Sequence, residues 1–192
     1  AQELKQPLPR LYIIPSQSVN CLSLGQTWKK SAIALTEGMA QRFTKEELEA
    51  VIVFQLLHLQ HYNRFSFNVT STIANAVMGL ARFFDRLLPN NLQFFVIILN
   101  PWCELFMRIQ IPQRCFLETD EAASRHLKSR QILGEVLWNL DSLARTKPLD
   151  PPPCSRYLFM VNPDQASKWG ELTGSHPHTG DRLKKLVGYY PI

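Results

Sequence analysis

Glycine is scarce, at 8 of 192 residues, which leaves little material for a Gly-rich phosphate loop, and no such loop can be found. The four cysteines, Cys21, Cys103, Cys115 and Cys154, are scattered with no C-x-x-C pair. That excludes a Cys-type zinc site and defines no disulfide framework, so reduced thiols are expected. Basic residues outnumber acidic ones to a formal charge of +5, yet no basic run exists; Lys29-Lys30 and Lys184-Lys185 are isolated pairs. With no recognised nucleic-acid module either, nucleic acid is not an expected partner. Cys154, Ser155 and Cys115 have no nucleophile elbow around them, so a nucleophile–base pair finds no support. A spanning helix wants about 20 apolar residues, and the richest stretch, Leu92 to Met107, is broken by Asn100-Pro101 and Glu104.

What is present is organised around residues 43 to 63. Thr44 followed by Glu47 is a capping box, Phe43 and Leu48 can form its hydrophobic staple, and Glu46, Glu47 and Glu49 suit the positive end of the helix dipole. Leu48, Val51, Ile52, Gln55, Leu56 and Leu59 recur at helical spacing, so this is a largely buried helix ending at His58 and His61.

Residues 1 to 10 read as a polar, Pro-punctuated arm. Leu11 to Ile14, Cys21 to Gly25 and Ser31 to Thr36 are strand candidates, expected to form a small antiparallel sheet beside the helix. Phe67 to Leu88 has apolar residues at helical spacing but also Arg82, Asp85 and Arg86, which are costly in lipid. The apolar stripe of 92 to 107 is expected to be a buried or partner-facing helix rather than a cofactor box. Residues 114 to 145 are helical, and Lys147 to Pro153 is a stiff loop. The whole is expected to be one helix-rich α+β domain over residues 1–192.

These residues resemble the HtpX-type membrane zinc metallopeptidases. Pro9 to Ile14, Asn20, Gly25 and Ala32 to Gly38 follow that family's strand–Asn–Gly–strand approach to its motif helix. Glu47-Leu48-Glu49-Ala50-Val51 matches the turn before H-E-x-x-H. Leu158 to Pro163 and Thr173 to Leu186 resemble its closing signatures, with His176, Pro177, Thr179, Arg182, Leu183 and Leu186 matching. The resemblance implies a zincin-like fold, and a transmembrane hairpin in the interval 66–111, which here is eroded: its helices are expected to lie in the membrane interface or against a partner subunit, with true spanning as the alternative. It also implies that residues 32 to 36 form the edge on which peptide lies.

The motif itself departs. Where the family has two zinc-binding His and a Glu base, this chain has Phe54-Gln55-Leu56-Leu57-His58, and Phe116 stands at the third ligand. Phe54 has no lone pair for a metal, and Gln55 cannot take a proton from water. Phe54 and Phe116 are expected to face each other, Asp120 to bond near the motif helix, and Glu118 to point away. The expectation is a chain that is no enzyme, with no metal or cofactor. It would serve as a catalytically dead accessory subunit of a protein complex at an organellar membrane, mitochondrial inner or plastid, or else a bacterial inner membrane, with no small-molecule substrate. Two alternatives stand: a residual zinc endopeptidase using His58 with His61, His126, His176, His178 or Glu118, and a peptide-binding module using the old substrate cleft at 32 to 36.

Overall fold

The computed structural model describes residues 8–27, 30–61, 64–88, 93–147, 149, 151, 153–162 and 176–188. Three strands come first, β1 (Arg10–Ile14), β2 (Cys21–Thr27) and β3 (Lys30–Thr36), followed by helices α1 (Glu37–Arg42), α2 (Lys45–His61), α3 (Arg64–Leu87), α4 (Phe94–Gln110), α5 (Gln113–His126) and α6 (Arg130–Thr146). A 3-10 turn (Pro153–Leu158) and helix α7 (Thr179–Val187) close the chain. This is the expected helix-rich α+β architecture. Most of the arm, residues 1–7, and positions 148, 150 and 152 of the stiff loop lie outside the described residues.

The sheet is mixed, not antiparallel. Its order is β1-β3-β2, with β1 parallel to β3 and β2 antiparallel to it. Strand β3 is therefore central, and residues 32 to 36 are no edge. The strand propensities were legible, but pairing order is fixed by contacts distant in sequence. Thr36 stitches the turn beyond β3: its Oγ1 donates to the Asn20 carbonyl at 3.0 Å and accepts from Asn20 N–H at 3.0 Å. It also caps α1 through Met39 N–H.

Residues Leu11, Ile13, Ile33, Leu35, Cys21 and Ser23 share one sheet face, by their register. Helix α2 packs against this face on the β2 and β3 side, so Cys21, Ile33 and Leu35 are buried. Helices α5 and α6 pack on other sides of α2, and α7 packs in turn on α6 and α5, burying Phe116, Ala123, Leu133, Val136, Leu137, Leu140 and Leu183.

Helices α3 and α4 form an antiparallel hairpin in the interval 66–111. Asp85 closes it: the carboxylate accepts from Phe95 N–H at 2.8 Å and Val96 N–H at 3.0 Å, satisfying donors at the start of α4. The residue that looked expensive in lipid is thus a helix cap. Helix α4 also continues through Pro101, where the sequence suggested a break. Asn100 Nδ2 donates to Glu104 Oε1 at 3.0 Å, and the Glu104 carbonyl accepts from Tyr157 Oη at 3.0 Å. Much of the hairpin's apolar surface faces outward, including Ile73, Leu80, Leu87, Ile97, Trp102 and Ile109, each at least 60% exposed.

Candidate functional site

The site grows from the start of α2. Thr44 N–H donates to Glu47 Oε2 at 2.8 Å and Glu47 N–H donates to Thr44 Oγ1 at 3.3 Å, the reciprocal cap the sequence announces. Asn139 of α6 adds a bond to Glu47 Oε1 at 3.2 Å. With its start fixed, α2 carries Ala50, Val51, Phe54, Gln55 and His58 on its inner face, all fully buried.

Aromatic rings fill the centre. Phe54 stacks on His58, with centroids 5.7 Å apart and planes 13° from parallel. His58 meets Phe116 of α5 at 4.7 Å, and Phe116 meets His176 at 4.4 Å. Phe54 and Phe116 are brought to one centre as expected, but each packs on His58. Above them lies the Arg182 guanidinium, 5.2 Å from the Phe54 centroid and 5.7 Å from that of Phe116, a desolvated cation–π geometry.

Asp120 bonds beside the motif helix, as expected, through Arg182, whose guanidinium lies over the Phe54 ring of α2. Its two oxygens accept from Arg182 Nε at 2.7 Å and Nη2 at 2.8 Å, across the α5–α7 interface. Burial pushes the Asp120 carboxyl up, and the guanidinium opposes that. Arg182 Nη1 donates to the Met160 carbonyl at 2.7 Å, so one buried guanidinium ties α5, α7 and the segment after the 3-10 turn together.

That segment, Phe159 to Val161, is buried together with Tyr157 and Leu158 at the end of the turn and runs against the outer edge of β2 at its start. Met160 N–H donates to the Cys21 carbonyl at 3.0 Å, Leu22 and Phe159 form an antiparallel bridge, and Asn20 Nδ2 donates to the Val161 carbonyl at 3.0 Å. His176 Nε2 lies 2.8 Å from the Phe159 carbonyl; a carbonyl only accepts, so this nitrogen carries the proton. Burial pulls the His176 pKa down to about 3, leaving a neutral imidazole. Sequence reasoning missed this seam, although the apolar run before Asn162 marks a buried extended segment.

Gln55 occupies the position of the expected base. Its Nε2 donates to the Cys21 carbonyl at 3.3 Å and contacts Cys21 Sγ at 3.1 Å. Its Oε1 is buried with no hydrogen-bond partner among the described residues. Burial pushes the Cys21 thiol up to about 12, against the opposing bond from Gln55, so it stays protonated.

The zinc that the resemblance implies does not fit this donor set. Two of the positions that would hold it are phenyl rings packed on His58, and no group of three or more His, Cys, Asp or Glu converges for a metal among the described residues. Glu118, His126 and His178 are exposed. His178 instead caps α7, its Nδ1 accepting from Gly180 N–H at 3.1 Å. The His61 side chain lies outside the described residues.

Residues 1–189 match the family model described as Peptidase family M48. A protein named "Protease HtpX homolog" from Sulfurovum sp. is 32% identical over 192 residues, covering 94% of this chain and 69% of its own length. One of the same name from Acaryochloris marina is 31% identical, covering 97% and 68%. "Protease HtpX" from Legionella pneumophila is 27% identical, covering 96% and 71%. No solved structure matches. These relatives correct the expectation of a chain that is no enzyme, because proteins of 27–32% identity along nearly its whole length carry the name protease. Two unusual positions in one motif weigh less than similarity along the whole fold.

Proposed function

The chain belongs to peptidase family M48, and from that premise we propose that it serves as a membrane-associated accessory subunit of a larger protein assembly, at an organellar membrane of bacterial descent. No step is assigned to a zinc at residues 54–58, since that donor set does not fit the metal.

One observation carries the reading: the α3–α4 hairpin turns its apolar side chains outward. Among the described residues, one stretch, Phe94–His126, is long and apolar enough by length and composition to cross a membrane, but it runs through both α4 and α5. As bounded here, α4 has 17 residues, about 25 Å of helix against a hydrocarbon core of about 30 Å. Helix α3 is longer but amphipathic, with Asn75 and Thr72 on its exposed surface. Such a pair suits the membrane interface, its apolar side chains in the acyl boundary and Arg82 and Arg86, both exposed at the hairpin tip, among headgroups. An apolar surface of this extent needs lipid or protein cover.

Vesicle flotation with the purified chain and cross-linking in its native membrane test this together. Flotation abolished by Ile97→Asp with Trp102→Asp, with discrete stoichiometric cross-links, is the expected result. A chain that stays soluble, monomeric and uncross-linked sinks the proposal.

A further inference from the structure

Each sheet edge has a different fate. The outer edge of β2 is covered at Cys21 and Leu22 by the chain's own Met160 and Phe159, and Asn68 of α3 donates to the Gly25 carbonyl farther along the strand. Strand β3 is central, so it offers no edge at all. Strand β1 pairs only inward, with β3, and among the described residues nothing pairs with its outer edge. Outward-facing N–H and C=O groups of an edge strand are satisfied in register only by water or another extended chain.

The side chains of β1 add to this. Leu11 and Ile13 lie level with Ile33 and Leu35 on the core face. Ile33 and Leu35 are 0% and 3% exposed, whereas Leu11 and Ile13 are 58% and 54% exposed. The core face therefore continues past the helix layer as an apolar ledge alongside an open main-chain edge. On the opposite face Tyr12 is also half exposed. Charge is confined to one end, where exposed Arg10 pairs with Ala32, two residues along β3 from exposed Lys30, while Ile14 ends the strand at Pro15.

We infer that β1 is the docking edge for an extended polypeptide segment that adds to the sheet as a fourth strand, with apolar residues at alternate positions and an acidic residue at the Arg10–Lys30 end. Alternate side chains of the segment cover Leu11 and Ile13, and its main chain satisfies the outer edge of β1. This rests on the accessory reading and names the partner's chemistry. It also moves peptide binding from residues 32 to 36, which the fold makes central, to residues 10 to 14.

The test uses short synthetic peptides of alternating valine and threonine, carrying aspartate at either the amino or the carboxyl end. Binding to the detergent-solubilised full chain is read by fluorescence anisotropy. One aspartate placement should bind better, which also gives the strand's direction. Main-chain methylation at every second peptide nitrogen should weaken binding about tenfold in one phase and leave it unchanged in the other, the loss expected for missing ladder bonds. Leu11→Ser with Ile13→Ser should also weaken binding about tenfold without moving the urea midpoint, because both side chains are exposed. Absence of binding, or equal binding by both methylation phases, overturns the inference. So does a dimer that Leu11→Ser with Ile13→Ser dissolves, since a second copy would then occupy the edge. Flotation and cross-linking through α3 and α4 need no open β1, so failure here with success there sinks this inference alone.

Discussion

Arg182 holds Asp120 through two parallel hydrogen bonds, Nε to Oδ2 at 2.7 Å and Nη2 to Oδ1 at 2.8 Å, with both side chains almost wholly buried. The guanidinium also faces the Phe54 and Phe116 rings and the Met160 carbonyl. Planar bidentate pairing combined with a ring face is a role that lysine could not fill.

Removing one partner leaves the other charge buried and unpaired. Asp120→Ala should therefore destabilise the fold by about 3–5 kcal/mol, while Asp120→Leu with Arg182→Met should cost less than Asp120→Ala alone. Urea unfolding of the variants decides it; a double variant less stable than Asp120→Ala would mean that contacts of Arg182 other than the ion pair dominate.

His176 sets an acid limb. Its folded pKa, near 3, lies below the unfolded value of about 6.5, so the unfolded chain binds more protons between them and stability falls as pH drops through that window. The slope approaches 1.4 kcal/mol per pH unit at most. His176→Gln keeps a donor for the Phe159 carbonyl but does not titrate. Comparing urea midpoints at neutral pH and near pH 5 should show a shallower loss in that variant.

Gly38 sits against the chain. Its N–H donates to the Ser16 carbonyl at 2.9 Å, and a Cβ placed there would come within 2.3 Å of the Gln17 carbonyl oxygen. Backbone rather than a movable side chain is in the way, so Gly38→Ala should cost about 3 kcal/mol or more through overpacking. A melting temperature within a degree or two of the parent would show that the β3–α1 corner can shift.

By the resemblance, Phe54, Gln55 and Phe116 would stand at the family's ligand and base positions, and the Thr44–Glu47 cap at the start of α2 is in place. Phe54→His, Gln55→Glu and Phe116→Glu introduced together should let the chain take up one zinc, measured by elemental analysis beside the parent treated identically, because ligand chemistry decides such a site once the helices are in place. Failure of the folded triple variant to take up metal would mean that α2 and α5 no longer hold the required spacing.

The sequence alone determined the local events. The Thr44–Glu47 box set the start of α2, periodicity set its buried face, and the unusual Phe54, Gln55 and Phe116 were visible as letters, because each depends on residues a few positions apart. The order of blocks from Pro9 to Leu186 also carried the family. Only the tertiary structure decided that β1 runs parallel to β3, that β3 lies in the middle, and that Asp120 pairs with Arg182, 62 residues away. It also placed Phe159 and Met160 on the edge of β2 and made Asp85 the cap of α4. These are pairings between segments that share no local signal; which donor meets which acceptor is settled only when the whole core closes around them.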